Sequence, residues 1–280
     1  MLDVTRAYGL TFYFPEGDSA IGGSLKTNGE FSRPLLDYLV QAADRPGGAF
    51  LDVGANIGSI ALPFAAARPR WRVVALEAHR GIATILSANT VVNGLTNVEV
   101  FHAAAGPEGR LADFPSPPLG VKGNHGVAGF LMTDVPTEPV RMLRLDDLGG
   151  DVRLVKIDVE GFEPEVLAGA GRLIRDVKPT WVVEATRSRE GPAREVMRIF
   201  LEAGYELYWL FAPFVTPLAP KAVGDIRIGD LNVAAVPPGG GNPWRMTPIL
   251  GVDAPFPRSS SEHPYIYRYA TRDGAAPAAD

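Results

Sequence analysis

Residues 50–59 read FLDVGANIGS, and this stretch decides the fold. An apolar run ends in an acid, two glycines flank Ala55-Asn56-Ile57, and the chain then turns apolar and alanine-rich. That is the pattern of a strand, a tight turn and an opening helix. A glycine turn at such a place aims main-chain N–H groups and the positive helix end at a ligand. The competing reading is a turn that only packs.

The turn's chemistry narrows the ligand. The dinucleotide fingerprint G-x-G-x-x-G is absent, because the glycines are Gly54 and Gly58. Asp52 at the strand end would repel a pyrophosphate and suits a ligand carrying a positive group. S-adenosylmethionine, with an ammonium, a sulfonium and no phosphate, meets that description. Glu77 closes the next apolar run, WRVVALE, where an acid can accept hydrogen bonds from both hydroxyls of a ribose. That role serves NAD equally, so Glu77 supports a nucleoside without choosing between the two.

Working outward, strands are expected at 10–14, 49–53, 71–77, 97–104, 153–159, 180–185, 205–211 and 230–236. Helical spacing falls at 33–43, 57–67, 81–94, 163–174 and 191–204. The alternation predicts an α/β fold, a mostly parallel sheet with helices on both faces. No helix separates the last two strands, so they are read as a hairpin running antiparallel to the rest. Residues 106–139 are a Pro/Gly-rich irregular insert, and inserts of that length in compact domains tend to be functional. Residues 1–48 lead into the sheet, 49–236 form the core and 237–280 a Pro/Gly-rich tail, in a single domain. The piece YIYRYA at 265–270 is the tail's one structured-looking segment.

The chain has 280 residues, enough for a sizeable core. Its 32 acidic and 27 basic residues give a net charge of −5, which argues against a general nucleic-acid partner. There is no cysteine, which excludes disulfides, thiolate metal sites and a cysteine nucleophile. The first residues lack a basic leader region and no apolar run is long enough to span a bilayer, so a cytoplasmic protein is expected.

The motifs FLDVGANIG, VVALEAH, NGLTNVEVFHAAAG, LRLDDL and above all LVKIDVEGFEPEVLAGA resemble the FkbM-type S-adenosylmethionine-dependent methyltransferases. The resemblance extends over SLKTNGEFSRP, GNHGVAGF and YELYWLFAPF, and covers residues 10–237. It implies a Rossmann-like seven-stranded methyltransferase sheet with an antiparallel last strand. It also implies methyl transfer to an oxygen of a sugar, glycolipid or natural-product small molecule. By the same resemblance Asp52, Gly54, Ala55, Asn56, Gly58 and Ser59 surround the methionine part, Glu77 holds the ribose and Ala78 lies beside the adenosine. His102, Ala103 and Ala104 fall near the adenine edge. Glu30 reaches the methionine ammonium, unless it is only a helix N-terminal acid favoured by the dipole.

IDVEG places Asp158 and Glu160 at the carboxyl end of a parallel strand, where ligands bind in open α/β sheets. Asp158 has three candidate roles: holding the methionine ammonium, acting as general base, or ligating a divalent metal. Glu184 ends the neighbouring strand and converges with it. Mg²⁺ would suit such oxygens, but Ala185 follows Glu184 and leaves the ligand set one short, so a metal is not favoured. Glu160 can equally face the main chain as a helix N-terminal acid. Displacement at a sulfonium depends mostly on alignment, and an alcohol acceptor must also lose a proton. Asp158, Glu184 and His125, the last in an insert placed to act as a lid, are the catalytic candidates. Asn124, Tyr208, Trp209 and Asn232 are candidates for holding the acceptor, with packing as the competing reading for the two aromatics. Asp146-Asp147 reads as a turn or N-cap; Arg187 and Arg189 follow the strand at 180–185 and read as a solvated loop, with a phosphate or carboxylate on the acceptor as the competing partner.

Two other classes compete. An NAD-dependent oxidoreductase would share Glu77 but lacks the third glycine and a Tyr-x-x-x-Lys or His dyad. A non-catalytic nucleoside-binding module would keep the same acids. The sequence leaves the acceptor's identity and the oligomeric state open.

Overall fold

In the computed structural model, residues 1–120, 123, 128–216 and 228–270 are described. The chain opens with an antiparallel hairpin of β1 (Leu2–Ala7) and β2 (Leu10–Pro15). Its turn residues Tyr8 and Gly9 both have positive φ, the backbone that matches strand twist in a two-residue hairpin. Beyond the hairpin come α1 (Ile21–Asn28), a helix that the sequence pattern did not indicate, and α2 (Arg33–Ala42) with Pro34 in its first turn.

The core alternates as its apolar spacing predicts: β3 (Gly48–Val53), α3 (Ala61–Ala67), β4 (Trp71–Glu77), α4 (Arg80–Val92) and β5 (Val98–His102). After the insert come β9 (Val152–Ile157), α5 (Glu163–Ala168), β10 (Thr180–Glu184), α6 (Glu190–Glu202), β11 (Glu206–Pro213) and β12 (Gly229–Val236). The central sheet has the order β13-β11-β12-β10-β9-β3-β4-β5, where β13 is Thr247–Ile249. From β5 to β10 all neighbours are parallel. Near-continuous apolar runs suit such strands, since helices cover both faces.

Three expectations are corrected here. Among the described residues the sheet has eight strands rather than seven, because Thr247–Ile249 in the tail pairs with β11. The strands at 206–213 and 229–236 do not both oppose the rest. β12 is wedged between β10 and β11 and is antiparallel to each, so β11 runs with the parallel set. The insert is not wholly irregular: β6 (Ala104–Ala105), β7 (Arg110–Pro115) and β8 (Thr137–Leu143) form a small sheet of order β6-β8-β7. Its alternating inward residues Ala112, Phe114, Val140 and Met142 build a satellite core that flanking Pro and Gly obscured in the sequence.

The described part of the tail is structural. Trp244, Phe256, Tyr265 and Ile266 join the main core. The Tyr265 hydroxyl donates to the Phe211 carbonyl at 2.8 Å and accepts its N–H at 2.6 Å. YIYRYA therefore contributes to a 3-10 turn, Pro264–Tyr269, that closes over β11.

The chain leaves β3 toward β4 and β5, then returns to β9 on the other flank of β3. That reversal parts the connections above β3 and β9 and leaves a crevice at their carboxyl ends.

Candidate functional site

A cavity of about 550 Å³ occupies this crevice. Its floor is made of strand ends that carry charged groups. β3 supplies Asp52, β4 Glu77, β9 Lys156 and, just beyond it, Asp158, and β10 Glu184. Because β12 is antiparallel, Asp230 near its start arrives at the same edge.

The turn after β3 is held by the sheet itself. Gly54 and Ala55 both donate their N–H to the Leu76 carbonyl at 3.0 Å. Gly54 has φ +74, and a Cβ there would lie 1.8 Å from the Asp158 carbonyl oxygen, so only glycine fits. Gly58 has φ +92 but faces Leu62 and Leu86 rather than the cavity. It is a packing glycine, which corrects its placement around a ligand. Asp52, Gly54, Ala55, Asn56 and Ser59 do line the cavity.

Glu77 lies at one end of this half. One of its carboxylate oxygens accepts the Asn56 N–H at 2.9 Å and the other the His79 N–H at 2.8 Å. Burial pushes its pKa up, and the two amides oppose that rise. A carboxylate oxygen accepts more than one hydrogen bond, so each retains capacity for a hydroxyl. Capping of α4 falls to His79, whose Nδ1 faces the Gly81 N–H at 3.1 Å. Ala78, Ala103, Ala104 and Ala105 form a small-residue wall beside Glu77. His102 is exposed and outside the cavity, its ring nitrogen 3.1 Å from the Ala78 carbonyl.

The strongest electrostatic feature is Lys156, which sequence reading passed over as part of an apolar strand. It is buried, and in the β3–β9 ladder it stands directly beside Asp52. Its ammonium is 3.1 Å from Asp52 Oδ1, 3.4 Å from Asp158 Oδ2 and 3.3 Å from the Gly54 carbonyl oxygen. Burial alone would lower its pKa, but the two carboxylates outweigh burial and hold it protonated. Asp52 is fully buried, and neither of its oxygens receives a well-aligned hydrogen bond. The readable signal was a cation at 156 inside the apolar stretch at 154–157, two positions before an acid.

The other half of the cavity is acidic. Burial first, then the charges of Asp158, Asp230 and Glu160, push Glu184 up to about 10. Burial and the Asp158 and Glu160 charges push Asp230 to about 8. Glu160, at φ +59, pairs with Arg189 Nη1 at 2.5 Å, and the same nitrogen lies 3.9 Å from Glu184. Arg189 is thus a bridge, not a solvated loop residue. Glu163, rather than Glu160, takes the main-chain role, accepting from the Val159 and Gly161 N–H groups. Among the described residues, no group of acids or histidines has the geometry to hold a metal ion.

The walls are aromatic. Phe31 stacks on Phe214 at 5.5 Å on one side, and Phe130 contacts Phe114 and Phe162 at 5.2 and 4.6 Å on the other. Phe130 belongs to the insert, whose Gly123 also bonds main-chain to main-chain with Gly17 and Ser19.

Several expected residues lie elsewhere. Glu30 is not in the cavity lining, and its carboxylate accepts from the Thr216 N–H and hydroxyl. Trp209 is buried against Phe256, and Tyr208 donates its hydroxyl to Glu206. Asn232, opposite Glu184 in the ladder, donates to the Leu210 carbonyl at 3.3 Å. All three belong to the sheet rather than to the cavity wall. Asn124 and His125 lie outside the described residues.

Comparison with known proteins now bears on this geometry. Residues 52–207 match the methyltransferase FkbM domain. Ribosomal RNA small subunit methyltransferase G of Nitrosospira multiformis is 39% identical over 66 residues, 24% of this chain and 31% of that protein. The structure of methyltransferase FkbM from Methylobacillus flagellatus is 19% identical, with a TM-score of 0.44, over 68% of this chain and 44% of that one. An O-methyltransferase from Bacillus cereus in complex with SAH is 17% identical, with a TM-score of 0.45, over 77% of this chain and 85% of that one. This chain thus spans less than half the length of the first two relatives. The domain match covers more than half of the chain, including the turn after β3 and the IDVEG segment: this chain belongs to the FkbM methyltransferase family.

Proposed function

We propose that the chain transfers a methyl group from S-adenosylmethionine to a hydroxyl of a small-molecule acceptor, a sugar, glycolipid or natural product. The observation that carries this reading is the division of one cavity into a glycine-turn half ending at Glu77 and an acidic half at Asp158 and Glu184. The first half fits an adenosyl ligand. Glu77 keeps acceptor capacity for two ribose hydroxyls, the alanine wall leaves room for a planar base, and the Gly54 turn permits close main-chain approach. Asp52 and Asp158 give the turn the negative field that a sulfonium and an ammonium require.

When bound, the cofactor supplies an electrophilic methyl carbon on a positively charged sulfur. An acceptor hydroxyl held against that carbon would have to pass its proton to a base as the methyl group left the sulfur. Asp158 opens onto the cavity and is the candidate for that proton. Glu184, pushed to about 10, holds its own proton at neutral pH and donates a hydrogen bond to the acceptor. The aromatic walls exclude water and present flat faces to the apolar side of a ring.

The test is titration with S-adenosylhomocysteine beside NAD, followed by transfer of a labelled methyl group to a panel of hydroxylated acceptors. Selective binding of S-adenosylhomocysteine with label transfer to oxygen supports the reading. Binding of NAD alone, or label transferred only to carbon or nitrogen, overturns it.

A further inference from the structure

Lys156 stands where a methyltransferase site would be expected to avoid a cation, beneath the turn assigned to a positively charged cofactor. Its ammonium nonetheless touches only partners of the site: Asp52, Asp158 and the Gly54 carbonyl. It is almost without exposure, and it lines the cavity. Two consequences follow from that placement. The ammonium ties the turn after β3 to the end of β9, fixing the spacing of the two carboxylates. Burial pushes the Asp52 carboxyl up, and the ammonium beside it opposes that rise; with both carboxylates ionised, Asp52, Lys156 and Asp158 together carry one negative charge rather than two.

We propose that Lys156 is a positioning and charge-setting residue that limits how strongly the site prefers the sulfonium cofactor over its neutral thioether product. With two uncompensated carboxylates the site would favour the charged ligand and repel nothing on methyl loss. With one, the substrate and product forms of the cofactor are held on a more equal footing. The inference rests on the cofactor reading above, and adds to it a role for a residue outside the expected ligand set.

The distinguishing quantity is the ratio of dissociation constants, S-adenosylhomocysteine over S-adenosylmethionine, measured by calorimetry on the full chain. Both ligands share the methionine and adenosine parts, so a purely structural defect weakens both and leaves the ratio in place. Lys156→Met adds a net negative charge and is expected to raise the ratio on the order of tenfold. Asp52→Asn removes one and is expected to lower it by a similar factor. The double variant Lys156→Met/Asp52→Asn restores the original charge and should return the ratio to within about threefold of the parent. Lys156→Arg keeps the charge and should keep the ratio.

If Lys156→Met does not fold, Asp52→Asn and the double variant carry the test between them. A ratio that stays constant while both affinities change would overturn the proposal and leave Lys156 a structural tie. If the parent protein bound neither ligand, the cofactor reading itself would fall, and this inference with it.

Discussion

The Glu77 carboxylate accepts the main-chain N–H of Asn56 at 2.9 Å, tying the end of β4 to the turn after β3. Asn56 has φ +49, an uncommon backbone for a residue with a side chain, and this bond helps hold it there. Glu77→Ala removes that tie along with both acceptor oxygens. The expected result is a loss of S-adenosylhomocysteine affinity on the order of 100-fold, from two charge-assisted hydrogen bonds. Glu77→Gln keeps one acceptor oxygen and should fall between. Calorimetry decides the matter, and an alanine variant that binds within threefold of the parent would remove Glu77 from the nucleoside site.

The two glycines of the opening turn should respond differently to alanine. At Gly54 the added Cβ meets main chain, 1.8 Å from the Asp158 oxygen, so the turn and β9 must part. At Gly58 it meets the side chains of Leu62 and Leu86, at 2.6 and 2.7 Å, which can shift by changing rotamer. Gly54→Ala is expected to cost about 4 kcal/mol or more and to abolish ligand binding, and Gly58→Ala about 1–3 kcal/mol with binding retained. Urea unfolding together with ligand titration separates these outcomes, and equal loss of binding in both variants would contradict the assignment of Gly58 to packing.

The acidic half of the cavity makes stability depend on pH. Glu184 is raised from 4.5 to about 10, and Asp230 from 3.8 to about 8. Between those values the folded state binds more protons than the unfolded chain, so its stability is highest below about pH 4 to 5 for these groups and declines as pH rises. The melting temperature should therefore drop on the order of 10 °C between pH 5.5 and 9. Glu184→Gln, neutral throughout, should flatten that slope and be more stable than the parent at pH 9. A parent and a variant with parallel pH profiles would mean that Glu184 is ionised in the folded protein.

Much of the fold was legible because it rests on periodicity. The apolar runs ending at Val53, Glu77, Ile157 and Glu184 became the four central strands, and the acids closing or following them meet at one edge. What escaped reading depends on pairing over long distances. The strand Thr247–Ile249 is three residues long, and only its partner β11 defines it. Phe130 enters the cavity wall from within a Pro/Gly-rich insert, and no local pattern links it to Phe114 and Phe162. Lys156 and Asp52 are 104 positions apart in sequence and neighbours only through the ladder register. Tyr208 and Trp209 lie outside the cavity lining, which the sequence could not show, because an aromatic on a strand looks the same whether it faces ligand or core.

That last ambiguity yields a direct contrast between two aromatic positions near one another in sequence. Trp209 is buried on β11 against Phe256, with ring centroids 4.9 Å apart, and makes no part of the cavity lining. Phe214 lies just past the end of the same strand, lines the cavity and stacks on Phe31 at 5.5 Å. Trp209→Ala should cost about 3–5 kcal/mol of stability through the cavity it leaves, while the surviving folded protein keeps its acceptor KM. Phe214→Ala removes a partly exposed ring and should cost about 1 kcal/mol, yet raise acceptor KM about tenfold with little change for the cofactor. Measuring both the unfolding midpoint and the two KM values in each variant resolves the roles. If Trp209→Ala shifted acceptor KM well below its unfolding temperature, the sheet-facing assignment of that ring would have to be abandoned.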